Sequence, residues 1–209
     1  LPLLEQHIWR DIIDPSADLS GYKVLLMPLM PIVPEQLKRR LAGWVAEGGQ
    51  LLLGPVTGTR SEEFTTWTDR EFGGLEELMG GRSAVRFPAI WIEDRISVAF
   101  DDGSASRTRA WCEGFEADGA EVIAGYQGGY GDGAAAVLHN RLGEGSVITL
   151  GCLIDRDCLL RTLGRLFEPA GVTPTASGSP DVLVVPRGGT CDAPAGYAVL
   201  NYTERPQSV

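Results

Sequence analysis

Hydrophobic positions in the first quarter of the chain switch from continuous runs to a helical period and back. Tyr22–Met27 is a short, largely apolar run of the kind buried on both faces of a sheet. Pro34 stands at a favourable first helical position. Leu37, Leu41, Trp44 and Val45 then recur at i, i+4, i+7 and i+8, which makes one face of an amphipathic helix over 35–47. Trp44 is expected to be buried on that face. Gly48-Gly49 ends the helix and Gln50–Gly54 supplies a second apolar strand. Strand, helix and strand in so short a span form a βαβ unit, so the two strands are expected to be adjacent, parallel and central. Upstream, Leu3, Leu4, His7 and Ile8 read as the end of a helix packed on the same sheet.

Beyond this unit, 58–69 is polar and loop-like, and Phe72, Leu75, Leu78 and Met79 fit a short helix closed by Gly80-Gly81. Ile96–Phe100, Glu121–Tyr126, Ala135–Asn140 and Ser146–Gly151 read as strands, the last two forming a hairpin around Leu142–Gly145. Asp157 is positioned to cap a helix with Leu159, Leu160, Leu163, Leu166 and Phe167 as its apolar stripe, stopped by Pro169 and Gly171. Thr173–Pro180 has the composition of a linker, and Val182–Val185 and Tyr197–Asn201 open a new β unit. The expected organisation is an α/β domain over 1–177 and a partial small β domain over 178–209. No internal repeat is visible.

Composition adds few constraints. The chain has 209 residues, 44% hydrophobic and 22% charged, with a net charge of −10. Acidity of that size repels nucleic-acid backbones and anionic headgroups, and no apolar run is long enough for a membrane helix, so neither nucleic acid nor membrane is an expected partner. Cys112, Cys152, Cys158 and Cys191 form no C-x-x-C pair and, with only His7 and His139 as histidines, no zinc spacing. Free thiols in a reducing, cytoplasmic compartment fit best. Neither a metal nor a cofactor is expected. The terminal residues have no initiator Met or signal peptide, and both ends read as cut from a longer chain.

Candidate chemistry is sparse. Cys152 is the best-placed thiol and His139 the nearest base, yet the hairpin sets His139 opposite a residue near Val147, about 17 Å of strand from Cys152, far beyond proton transfer. Glu62-Glu63, Asp101-Asp102 and Asp155 with Asp157 read as caps and solvated turns rather than a pair of carboxyls flanking a sugar. The glycine-rich Gln127–Gly133 segment leads into a strand, not a helix N-terminus, so it reads as a flexible loop and not a phosphate cradle. No catalytic residue is assigned.

Asp18-Leu-Ser-Gly-Tyr-Lys-Val-Leu-Leu-Met-Pro-Leu29 and Ala46-Glu-Gly-Gly-Gln-Leu-Leu-Leu-Gly-Pro-Val-Thr-Gly-Thr-Arg60 closely resemble the trimerisation domain of family 42 β-galactosidases. The likeness continues through Gly119–Ala124, Leu142–Gly151 and Ala170–Pro174, and 181–209 resembles the opening of that family's small C-terminal β domain. The loop 59–69 departs from the family pattern. The resemblance implies a flavodoxin-like, class I glutamine-amidotransferase-like fold: a mostly parallel sheet flanked by helices, with a small C-terminal β segment. It further implies a non-catalytic module that joins a bacterial homotrimer, the β-galactoside being met only by a catalytic barrel outside this chain. The rival reading is a stand-alone amidotransferase-like enzyme or sugar-binding domain. An assembly surface needs exposed apolar side chains that the sheet does not use, and Phe64, Trp67, Phe87, Trp91, Tyr126 and Tyr130 are the candidates.

Overall fold

A computed structural model of the protein describes residues 2–92, 95–189 and 193–209, so Cys191 lies outside the described residues. The elements run α1 (Pro2–Glu5), β1 (Val24–Met27), α2 (Glu35–Ala46), β2 (Gln50–Leu53), α3 (Glu76–Met79), β3 (Gly81–Pro88), β4 (Ser97–Phe100) and β5 (Ala105–Arg107). They continue with β6 (Arg109–Ala117), β7 (Glu121–Gln127), β8 (Ala135–Leu142), β9 (Gly145–Leu150), β10 (Cys152–Leu153), α4 (Arg156–Phe167), β11 (Val182–Gly189) and β12 (Pro194–Asn201). Two compact units result: Asp18–Ala170, and Leu1–Ala17 with Gly171–Val209.

In the larger unit the βαβ expectation is met in pairing. β1 and β2 run parallel from Val24↔Gln50 to Met27↔Leu53, and α2 connects them. β1 is nevertheless an edge strand, half-buried along its length, while β2 is fully buried. Apolar continuity reports cover over a strand's two faces and carries no information about its two edges. β2 then pairs in parallel with β9, from Gln50↔Ser146 to Leu53↔Thr149.

The expectation of a mostly parallel sheet needs correction, because among the described strands the parallel arrangement covers β1, β2 and β9 alone. From β9 the order continues β8-β7-β4-β5, every pairing antiparallel. Tight turns impose this: Leu142↔Gly145 closes β8 onto β9, and so short a connection cannot carry the chain into a parallel neighbour. The long strand β6, absent from the sequence-based expectation together with β3 and β5, pairs antiparallel with β3, β10 and β8.

α2 buries most of its predicted face, whereas of the predicted α4 stripe Leu163 and Leu166 are buried and Leu159, Leu160 and Phe167 only half-buried. α2 turns Leu37, Leu41 and Val45 inward, and α4 turns Cys158, Leu163 and Leu166 inward. Asp155, not Asp157, occupies the N-cap position of α4; its carboxylate makes no bond to the first turn and accepts the Arg107 amide at 3.0 Å instead. Trp44 departs from expectation and is only half-buried. It sits at the margin of the helical face, with its indole N–H donating to Tyr22 O at 3.2 Å and its ring against Gly49, where an added Cβ would fall 2.4 Å away. The Leu142–Gly145 turn docks on the end of α2: the Glu144 amide donates to the helix-terminal carbonyl of Ala46 at 3.0 Å. Gly145 lies so close that a Cβ there would sit 2.2 Å from the carbonyl oxygens of Val45 and Gly49.

In the smaller unit β11 and β12 form an antiparallel hairpin, in register from Val182↔Asn201 to Gly189↔Pro194. The single turn α1, predicted to pack on the main sheet, groups with this hairpin and touches β11. The Thr175 amide and hydroxyl both donate to His7 O, which ties the two segments of the unit together.

Three substitutions test this packing. Trp44→Ala should cost about 1–3 kcal/mol in urea unfolding, below the value for a fully buried Trp, because the indole is already half in water. Gly145→Ala should destabilise by about 1–3 kcal/mol or more through backbone overlap. Gly43→Ala, in the exposed middle of α2 with nothing within 4 Å of its Cβ, should instead stabilise by roughly 0.5–1 kcal/mol, and the two midpoints moving in the same direction would contradict this account of packing.

Candidate self-association surface

Three of the six aromatic candidates stand out in water. Phe64 is 76% exposed at the tip of a turn built by Ser61, whose carbonyl accepts the Phe64 amide at 3.0 Å and whose hydroxyl meets that of Thr65 at 2.9 Å. Phe64 takes a φ of 66°, an unusual conformation for a residue with a bulky side chain, so the turn holds the ring outward at some local expense. Trp91 is 87% exposed beside exposed Ile90, in a turn closed by the Ile92 amide donating to Ala89 O at 2.9 Å. Tyr130 is 81% exposed and meets Phe87 edge-on, 6.0 Å between centroids.

The other three candidates have different positions. Phe87 and Tyr126 are buried, a correction to their assignment as surface contacts. Both lie on strands, β3 and β7, whose alternation points them into the core, and the Tyr126 hydroxyl donates to Glu113 O at 3.1 Å. They pack 6.2 Å apart and back the exposed Tyr130 ring. Trp67 is half-buried and works as a strut. Its indole N–H donates to Gly58 O at 2.9 Å, and the Lys38 ammonium lies 4.6 Å over its ring. Leu29 and Leu153, both more than half exposed, are apolar surface that the sequence did not single out. Leu29 follows Pro28 directly at the end of β1, and that was the available signal.

The groups weighed for chemistry are engaged in the fold. His139 faces Ile148, as the hairpin register predicted, and burial lowers its pKa. Cys152 pairs with Cys112 across β10 and β6, and burial pushes its thiol up to about 11, the reverse of what a thiolate nucleophile needs. Asp101 binds Arg165, Asp102 binds Ser104 and Arg161, and Glu62 accepts the Glu35 amide.

The Gly-Pro-Val-Thr-Gly segment forms a turn past the carboxyl end of β2. Its Thr57 hydroxyl accepts the Met30 amide at 3.2 Å, and the Gly58 amide donates to Met30 O at 2.9 Å. Val56 adopts a φ of 67°, and its amide donates to the buried carboxylate of Glu113 at 3.0 Å. Glu113 sits on β6 with 2% exposure. Arg86 Nε lies 3.4 Å from its other oxygen, and the Arg86 guanidinium stacks on Phe72 at 4.5 Å. Burial raises the Glu113 pKa, opposed by the Val56 amide, by Arg86 and by the nearby Trp111 indole, which makes no well-formed hydrogen bond.

Against known proteins, the family model described as the β-galactosidase trimerisation domain matches residues 2–173. The β-galactosidase YesZ of Bacillus licheniformis is 28% identical over 191 residues, covering 90% of this chain and 28% of that protein. The β-galactosidase Bga of Halorubrum lacusprofundi is 31% identical over 175 residues, 78% of this chain and 25% of that protein. Among solved structures, the β-galactosidase of the same haloarchaeon superposes with a TM-score of 0.84 at 28% identity, over 97% of this chain and 29% of that one. The enzyme of Bacillus circulans sp. alkalophilus gives 0.85 at 25% identity, over 91% and 29%. The chain therefore spans between a quarter and a third of the length of the relatives it matches. With the family match running over every described element of the larger unit and over α1, well beyond half of the chain, the chain belongs to the β-galactosidase trimerisation domain family.

Proposed function

We propose that this domain holds together a homotrimer of a β-galactosidase whose catalytic groups and β-galactoside site lie on a barrel outside residues 1–209. The observation that carries the reading is the family match over 2–173, joined to large aromatic side chains at Phe64, Trp91 and Tyr130 that the core does not use. A three-fold ring needs heterologous contact, in which one patch of a subunit meets a different patch of the next. Separate aromatic anchors on different turns suit that geometry, since anchors of this kind carry most of the energy of an interface. We further propose that the unit is a variant of the flavodoxin-like, class I glutamine-amidotransferase-like arrangement. The parallel β1, β2 and β9 with α2 between the first two support it, and so does α4 after β10. The alternative of an amidotransferase-like enzyme is disfavoured by the buried, high-pKa Cys152. The three described cysteines are free, which supports a reducing cytoplasm as the site of action.

The full-length parent decides the matter. Sedimentation at micromolar concentration should give a trimer, and serine in place of Phe64, Trp91 or Tyr130 should weaken association by about tenfold or more at each anchor that is a hot spot. Because each domain carries a net charge of −10, added salt should strengthen the assembly by screening repulsion. A monomeric parent, or a trimer indifferent to all three substitutions, would overturn the assignment.

A further inference from the structure

In open sheets with parallel strands, ligands settle outside the carboxyl ends of those strands. Here that space lies past Leu53 of β2 and Leu150 of β9, and β6 crosses it. The crossing is close: a Cβ on Gly151 would fall 1.9 Å from Glu113 O, and the Glu113 amide donates to Gly151 O at 2.7 Å. From β6 the Glu113 side chain enters this crevice, where its carboxylate accepts the Val56 amide at 3.0 Å and lies 3.4 Å from Arg86 Nε. The Val56 amide and the Arg86 guanidinium come from separated segments and flank one buried carboxyl group, Oε2 held by the amide and Oε1 lying 3.4 Å from Arg86 Nε without a well-formed hydrogen bond. Val56 adds an independent sign. A β-branched residue rarely takes a φ of 67°, and such strain persists only where the surroundings over-determine it.

We propose that this crevice is a carboxylate-binding site which the chain fills with its own Glu113 side chain, an internal ligand that locks the Gly54–Arg60 turn. The inference does not depend on trimerisation. Arg86, with 28% of its side chain exposed, lies between the site and solvent. Truncation of Glu113 to alanine removes Cγ, Cδ and both carboxylate oxygens, the heavy atoms of one acetate ion. The vacated site should therefore take acetate best, formate less well and larger carboxylates poorly.

The test uses Glu113→Ala in the 209-residue chain. Its melting temperature should fall below the wild type's and then climb with the logarithm of acetate concentration, as binding to the folded state requires. Chloride at the same ionic strength should give no such climb. Wild type and Glu113→Gln, whose sites are filled, should respond to acetate and chloride alike. Equal responses of a folded Glu113→Ala to both salts would overturn the proposal, and so would acetate-specific stabilisation of Glu113→Gln. If Glu113→Ala does not fold, amide exchange in the wild type decides: Val56 should exchange far more slowly than unbonded turn amides, and exchange at their rate would refute the lock.

Discussion

The parallel pairing of β2 with β9 is the constraint on which the larger unit depends. It joins residues 96 positions apart, and the buried hydrogen bond from Ser146 Oγ to Gln50 Oε1 at 2.6 Å fixes the register at one end. On one side of this seam stand β1 and α2; on the other hang β8, β7, β4 and β5, each reached by an antiparallel step. A slip of one residue would turn every buried side chain of β9 to the opposite face. It would also lift the Leu142–Gly145 turn off the end of α2, where it satisfies a helix-terminal carbonyl.

The segments legible in the sequence were those whose burial needs no distant partner to explain it. Leu37, Leu41 and Val45 at helical spacing, the apolar run of β2, and the stripe of α4 each announce a face. β3 and β6 do not. Their alternation is interrupted by Arg82, Arg86, Glu113 and Glu116, charged residues whose meaning depends on contacts made across the fold. Arg82 and Glu116 pair with each other in water, while Arg86 and Glu113 meet at the crevice. A buried carboxylate looks like a surface residue in one dimension, which is why Glu113 passed unnoticed.

The aromatic surface was legible in part for the same reason. Phe64, Trp91 and Tyr130 lie in irregular segments that cannot bury a ring by strand alternation, and they are exposed. Phe87 was misplaced because β3 went unrecognised, and Tyr126 because it ends the expected strand Glu121–Tyr126, where the sequence does not tell which face its ring takes. Trp44 satisfied the helical period but stands at the rim of its stripe, where a large ring reaches past the core's edge.

The long reach of the β2–β9 seam also fixes a timetable. During synthesis β2 emerges 96 residues before its parallel neighbour. At about 5–20 residues per second that interval is on the order of 5–20 s. Through it the fully apolar Leu51-Leu52-Leu53 segment has one unpaired edge, the template on which a nascent chain recruits a wrong partner. Neighbouring nascent copies on one message present the same edge at the same time. The central seam of the domain is thus also where its biogenesis is most exposed to misassembly and where a chaperone has most to protect.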